Sequence, residues 1–203
     1  KDPVLFFEPK RRYWQKGPVN LDTPPAGMHT AKVVREGSQL TIATYGPMVT
    51  TSLEAAAIAA EEGTSIEVID IRSMSPIDFN TIIESVKKTG HLVVVAEANT
   101  NVSVSSEIAA RVAELAFYHL EAPVIRVGGF DVPYPAAKLE EKFLPDADRI
   151  LAFGRPCAAV LDRAELCLGG RRDAPAFGGV GQGRADLHLR LSQCGPAQCL
   201  WPV

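Results

Sequence analysis

The sequence predicts an α/β fold: a three-layer α/β/α sandwich on a five-stranded mixed sheet whose first strand runs antiparallel to the rest. Three observations carry this. Short apolar runs (Leu40–Tyr45, Ile66–Ile71, Leu92–Val95, Val124–Val127) alternate with helical patterns, the mark of right-handed β-α-β units. Leu92-Val93-Val94-Val95 is apolar without a break, as in a parallel strand covered on both faces. The crossovers between the four later strands are long enough for parallel pairing, whereas only Glu36-Gly37-Ser38 separates the first strand from the second. That short link predicts a tight turn and an antiparallel pair.

The elements follow in order. Residues 1–30 hold Pro3, Pro9, Pro18, Pro24 and Pro25, with a short strand candidate at Val4-Leu5-Phe6-Phe7 and then an extended linker from Gly17 to Gly27. Lys32–Arg35 and Leu40–Tyr45 are the first two strands. Pro47 opens a helix whose apolar face is Val49, Leu53, Ala57 and Ala60, and Gly63 ends it. Ile66–Ile71 is the third strand. Ser75-Pro76-Ile77-Asp78 reads as a cap, Pro in the first turn and an acid three residues on. The helix that follows buries Phe79, Ile82, Ile83 and Val86 and stops at Gly90. After the strand Leu92–Val95, Ser105 or Ser106 caps a helix with Ile108, Val112, Leu115 and His119 on its apolar face. Pro123 opens the strand Val124–Val127, and the rigid loop Asp131-Val132-Pro133-Tyr134-Pro135 leads to a short charged helix from Ala137 to Phe143.

Composition sets bounds. The 203 residues are 46% hydrophobic with a mean hydropathy of +0.04, enough to bury an ordinary core. A net charge of −3 gives no field that would draw nucleic acid or an anionic membrane. No apolar run approaches the roughly 18 residues a bilayer span requires. All four cysteines (Cys157, Cys167, Cys194, Cys199) fall in the last 50 residues, so the cysteine-free body reads as cytoplasmic rather than as a disulfide scaffold. The start Lys1-Asp2-Pro3 has no initiator Met and no signal-peptide layout, and reads as an internal cut.

No complete catalytic constellation is present. Gly-x-Gly-x-x-Gly after the first strand, a phosphate loop, a nucleophile elbow and the Gly-Asp-Gly magnesium–diphosphate signature are all missing, and His29, His91, His119 and His188 each stand alone. No catalytic, cofactor-binding or metal-binding residue is therefore assigned. The positions that stand out lie at the carboxyl ends of strands, where open α/β sheets place ligands and contacts. Asp70 and Arg72, two apart, leave one strand end on the same face and form either an interface pair or a local ion pair that ties down a loop. Glu97 follows the strand Leu92–Ala96 and either orients a neighbouring subunit's loop or accepts backbone N–H groups at the next helix start. His119 on the apolar helix face is a core or interface histidine rather than a ligand.

Specific strings then become recognisable in order and in register: Phe6-Phe7-Glu8-Pro9-Lys10, Val68-Ile69-Asp70-Ile71-Arg72, Lys88-Thr89-Gly90, Glu97-Ala98, Ser106-Glu107-Ile108, Leu120-Glu121-Ala122-Pro123 and Gly129-Phe130-Asp131-Val132-Pro133-Tyr134-Pro135. Together, from about Asp2 to Ile150, the chain resembles the β subunit of the thiamine-dependent 2-oxo acid dehydrogenases, the branched-chain (2-oxoisovalerate) type above all. The resemblance implies that residues 1–30 are the end of a pyrimidine-binding domain and its linker, and that 31–153 are a transketolase-type C-terminal domain. It implies thiamine diphosphate and magnesium in the complete enzyme, held by an upstream domain and an α subunit and not by this chain alone. It also implies an α2β2 tetramer, formed with an α subunit and a second β subunit, and docking to a lipoyl acyltransferase core. Asp2 matches a residue that lends a ligand to a structural potassium ion, with the other ligands upstream. A matching domain of a transketolase or deoxyxylulose-phosphate synthase, and a free-standing non-enzymatic binding module, are the competing readings.

The resemblance also places subunit contacts on this domain. Phe117, Tyr118 and His119 precede the strand Val124–Val127, and Phe130 and Tyr134 follow it. Phe130 and Tyr134 are thus expected at an interface, the alternative being a loop that folds back and buries both rings. Two departures stand out. Asn99–Ser105 replaces a family segment that usually carries Gly-Gly-aromatic, and Ala96 stands where a histidine is common. The likeness stops near Ile150–Leu151. The tail, residues 154–203, has no Lys, Ile or Tyr but six Arg and eight Gly, the composition of a GC-rich gene read out of frame. It is expected to be disordered after about Gly169, the rival reading being zinc on His188, Cys194 and Cys199.

Overall fold

The structure, a computed structural model, describes residues 29–154 together with Pro3, Leu5, Tyr13, Trp14, Lys16, Gly17, Asp22 and Gly27. The strand candidate at residues 4–7 apart from Leu5, most of the linker, Asp2 and the tail readings lie outside the described residues.

Five strands form one sheet: β1 Lys32–Arg35, β2 Leu40–Thr44, β3 Ile66–Asp70, β4 Leu92–Asn99 and β5 Ile125–Gly129. Their order is β1-β3-β2-β4-β5, with β1 antiparallel to β3 and every other pairing parallel. The mixed sheet and the antiparallel first strand are as the sequence predicts. The β1–β2 hairpin is not. β3 lies between the two strands, and the short link from Glu36 to Gln39 crosses the amino end of β3 instead of turning back beside it. Ser38 N–H and Gln39 N–H both donate to Ser65 O, and Ser65 N–H donates to the Gln39 amide oxygen. A Cβ on Gly37 would sit 2.2 Å from the backbone at Ile66 and Glu67, so only glycine lets the chain pass this close.

Helices α1 (Met48–Glu61), α2 (Phe79–Thr89) and α3 (Val104–Leu115) supply the outer layers. One core cluster places Met48, Ala55, Ala56 and Ala59 of α1 and Ile150 and Leu151 against Ile42, Val68, Val93 and Val95. The other places Ile82 and Val86 of α2 and Ile108 and Val112 of α3 against Ala43, Ile69 and Val94. Successive residues of β2 and β4 thus feed opposite cores, which is why β4 is apolar without alternation from Leu92 to Ala96. Residues 147–154 are helical and complete the first layer. A 3-10 turn at Ala137–Leu139 runs into a short helix α4, Glu140–Phe143.

Several local expectations shift. The buried face of α1 is Val49, Ser52, Ala55, Ala56 and Ala59, whereas Ala57 and Ala60 are exposed and Leu53 is half-buried. Nearly every residue of this stretch is small or apolar, so the pattern alone admits two faces, and close approach to the sheet selects the small one. Asp78, not Ser75, caps α2: its carboxylate accepts from Thr81 N–H, from the Thr81 hydroxyl and from Ala31 N–H. Burial pushes this carboxyl up. The Thr81, Ala31 and Asn80 hydrogen bonds outweigh burial and leave it below the ordinary aspartate value. Ser103 occupies the cap position of α3 rather than Ser105 or Ser106. Leu115 is 52% exposed, and His119 is off the helix altogether, exposed on a 3-10 turn at Phe117–His119, because α3 ends at Leu115.

Candidate functional site

The carboxyl ends of β2, β3, β4 and β5 share one edge of the sheet, joined there by the amino end of β1. Register places Thr44 beside both Asp70 and Val95, Lys32 beside Asp70, and Asn99 beside Gly129. From β2 the chain leaves to the α1 face, while from β3 and β4 it leaves to the α2–α3 face. In open sheets of this kind, loops that part in this way leave a crevice at the strand end, and it is there that ligands or partners are received. All five residues singled out from the sequence lie along this edge.

Asp70 is the half-buried last residue of β3. Ile71 N–H donates to Thr44 O at 2.8 Å, and Ser73 N–H then bonds back to Ile71 O at 2.7 Å, so the chain turns sharply just past the strand. At the apex Arg72 is exposed with a φ of 65°. Strand alternation has ended by this point, so the spacing by two does not by itself set Asp70 and Arg72 on a common face. A long side chain in the left-handed region is uncommon and marks a position held by its surroundings.

Glu97 lies within β4, which runs to Asn99 and not only to Ala96. The next helix, α3, begins seven residues later, with Ser103 and not Glu97 at its cap position. Glu97 lies close enough to Tyr45, just past the end of β2, for its charge to be felt there. Burial pushes the Tyr45 phenol above its ordinary value, and the Glu97 carboxylate adds to the shift.

The loops after β4 and β5 are tied together. Asn99 Nδ2 donates to Val132 O at 3.1 Å, and Asn101 N–H donates to Asp131 Oδ1 at 2.9 Å. Arg126 from β5 donates to Thr100 O at 3.0 Å and to Ser106 Oγ at 2.6 Å. At the tip Val102 is fully exposed with a φ of 50°. Tyr45, Val102 and Val132 were not singled out in advance. The pairing of Tyr45 with Glu97 has no local signal, and Val102 sits in the segment that departs from the resemblance.

Phe130 and Tyr134 stay 52% and 59% exposed, so the loop does not bury them. Each is nonetheless braced from below. The Arg149 guanidinium lies 4.2 Å from the Phe130 ring centroid. Tyr134 donates to the Glu140 carboxylate and sets its ring edge-on to Phe143, with centroids 5.1 Å apart. Both aromatics are therefore presented to solvent in fixed orientations, the form of an anchor that loses little freedom on contact.

This edge offers the Asp70 and Glu97 carboxylates, the Tyr45 phenol and the exposed Arg72 guanidinium, with Lys32 in register beside Asp70. Among the described residues no three His, Cys, Asp or Glu side chains are placed to hold a metal ion.

Comparison with known proteins agrees with this geometry. Residues 29–150 match the family model described as transketolase, C-terminal domain. The chain is 57% identical over 150 residues to a pyruvate dehydrogenase E1 component subunit beta of Leifsonia xyli subsp. xyli, covering 74% of this chain and 44% of that protein. It is 46% identical over 151 residues to a 3-methyl-2-oxobutanoate dehydrogenase subunit beta of Mycobacterium tuberculosis, covering 74% and 43%. The chain thus spans less than half the length of these relatives. Among solved structures, one described as a split gene transketolase, inactive beta4 tetramer, superimposes with a TM-score of 0.57 at 30% identity, over 66% of this chain and 42% of that one. The chain belongs to the family of transketolase C-terminal domains, and its similarity runs to the β subunits of 2-oxo acid dehydrogenases.

Proposed function

We propose that this chain is the assembly and interface domain of a 2-oxo acid dehydrogenase β subunit, working in the cytoplasm. The observation that carries the reading is the carboxyl edge of the sheet, where Phe130 and Tyr134 stand half-exposed but braced, beside the acidic residues Asp70 and Glu97 and the guanidinium of Arg72. Such an edge contributes fixed contacts to a partner and no reacting group. Its partners in this reading are an α subunit, a second β subunit and the lipoyl acyltransferase core. Thiamine diphosphate with magnesium supplies the decarboxylation chemistry at a site built by other parts of the assembly. The strings of the sequence support a branched-chain 2-oxo acid as substrate, and the higher identity to the pyruvate-type relative supports pyruvate.

The test is assembly. The chain is mixed with a dehydrogenase α subunit, with and without Phe130→Ser and Tyr134→Ser, and followed by sedimentation velocity. A complex with the wild-type chain that weakens in the double variant supports the reading. A chain that stays alone at all concentrations, or a complex indifferent to both substitutions, overturns it. Turnover of a dehydrogenase assembled with the upstream pyrimidine-binding domain in place, on 3-methyl-2-oxobutanoate against pyruvate, assigns the substrate.

A further inference from the structure

The opposite edge of the sheet holds a buried histidine that the interface does not use. His91 precedes β4 and is 1% exposed. Its Nδ1 lies 2.9 Å from Thr89 O, and its Nε2 has no hydrogen-bond partner, the nearest charged atom being Glu121 Oε2 at 4.0 Å. A carbonyl oxygen can only accept, so the bond to Thr89 requires a proton on Nδ1. The neutral ring with that proton turns the Nε2 lone pair toward a carboxylate. The other neutral tautomer turns the Nδ1 lone pair toward a carbonyl. Only the imidazolium, a donor at both nitrogens, suits both neighbours.

The surroundings leave Glu121 as the group that answers that charge. On α2, Lys88 is engaged by Glu36 at 3.0 Å and by Glu67 of β3, and Lys87 by Glu84 at 2.9 Å. On β2, Thr41 N–H donates to His91 O, and Thr41 Oγ1 shares a hydrogen bond with Thr89. On the turn that faces α2, His119 is exposed, and Glu121 keeps its side chain 56% exposed, free to rotate toward the ring. The backbone of Glu121 is already fastened there, its N–H donating to Gly90 O at 2.9 Å. Residues Tyr118 to Glu121 wall an open polar cleft of about 400 Å³ on one side and an apolar groove of about 700 Å³ against α3 on the other.

We propose that His91 and Glu121 form a proton-operated latch, in which protonation of His91 closes an ion pair that pins the turn from Phe117 to Glu121 onto the carboxyl end of α2. The proton adds to the Nε2 lone pair, and no other bond changes. With His91 neutral the turn keeps only its backbone tie, and both flanking surfaces loosen together. The latch is independent of the interface at the carboxyl edge.

The experiment is amide hydrogen exchange with ring-nitrogen NMR on the full 203-residue chain, between pH 8 and pH 5.5, with Glu121→Gln as the comparison. Glu121 is a surface side chain, so this variant folds. In the wild type, after correction for intrinsic exchange, the Glu121 amide is expected to gain about tenfold protection on acidification, with the imidazolium signal appearing at both ring nitrogens. Glu121→Gln should lose that gain. Equal pH dependence in both proteins, or a His91 ring that stays neutral at pH 5.5, overturns the latch.

Discussion

Phe143 lies directly over Gly129. A Cβ added to Gly129 would stand 2.5 Å from two ring atoms of Phe143 and 2.9 Å from Glu97 O. The last residue of β5 thus seats α4, and through Phe143 it fixes the ring of Tyr134, at the edge where partner contacts are proposed. Gly129→Ala must displace a buried ring or part β5 from β4. The expected cost is about 1–3 kcal/mol by chemical denaturation, with a changed near-ultraviolet signal from Tyr134. Unaltered stability would show that Phe143 swings aside freely.

Phe130→Ser with Tyr134→Ser separates an anchor from a core residue. Half-exposed rings should leave stability within about 1 kcal/mol of wild type, where buried ones would cost roughly 3 kcal/mol or more each. Denaturant unfolding of the double variant gives the number, and it stands apart from the assembly measurement.

Asp78→Ala removes three acceptor contacts at the start of α2. The helix should lose about 1–2 kcal/mol. Because the Asp78 carboxyl is held below the ordinary aspartate value of 3.8, its contribution is present above that pH and is lost as pH falls through the folded value. The stability difference between wild type and Asp78→Asn should therefore shrink on acidification below that range. A constant difference would remove the linkage.

Lys88→Met leaves Glu67, which has no exposed surface, without its cation. Breaking such a pair from one side should cost about 2 kcal/mol or more, while replacing both by apolar residues should cost less. The Lys88 ammonium is held above its ordinary value of 10.5, first by the Glu67 hydrogen bond. Its contribution is thus complete below that pH and is lost as pH rises through the folded value. Alkaline denaturation curves of wild type and Lys88→Met should converge there.

Glu97→Gln should bring the Tyr45 phenol part of the way back toward 10.0, since burial is the larger cause and remains. Ultraviolet titration of tyrosinate absorbance reads the change. No movement would mean that the two side chains do not sense each other across the crevice.

Much of this architecture was legible because strands and helices each leave a local period. The unbroken run Leu92–Val95 marked a strand covered on both faces, and Gly90 marked the end of α2. What escaped was set by distant partners. Whether β1 lies beside β2 or β3 depends on Ser65 and Ile66 receiving the link at Gly37, far along the chain. Tyr45 feels the Glu97 charge only because β2 and β4 are neighbours, with Thr44 in register with Val95. Exposure of Phe130 and Tyr134 followed from aromatic excess near Pro-rich loops, but the bracing by Arg149 and Phe143 did not, since both come from segments beyond the loop.

The link that crosses beneath β3 also orders events in time. Among the described residues β1 bonds only to β3, and the partner of Val33 is Ile69. β3 in turn needs α1 to return it beside β2. The first residues of the domain to be synthesised therefore have nowhere to dock until the chain has come back twice. In the folding transition state β1 should be unformed, so Val34→Ala should quicken unfolding and leave the refolding rate almost untouched.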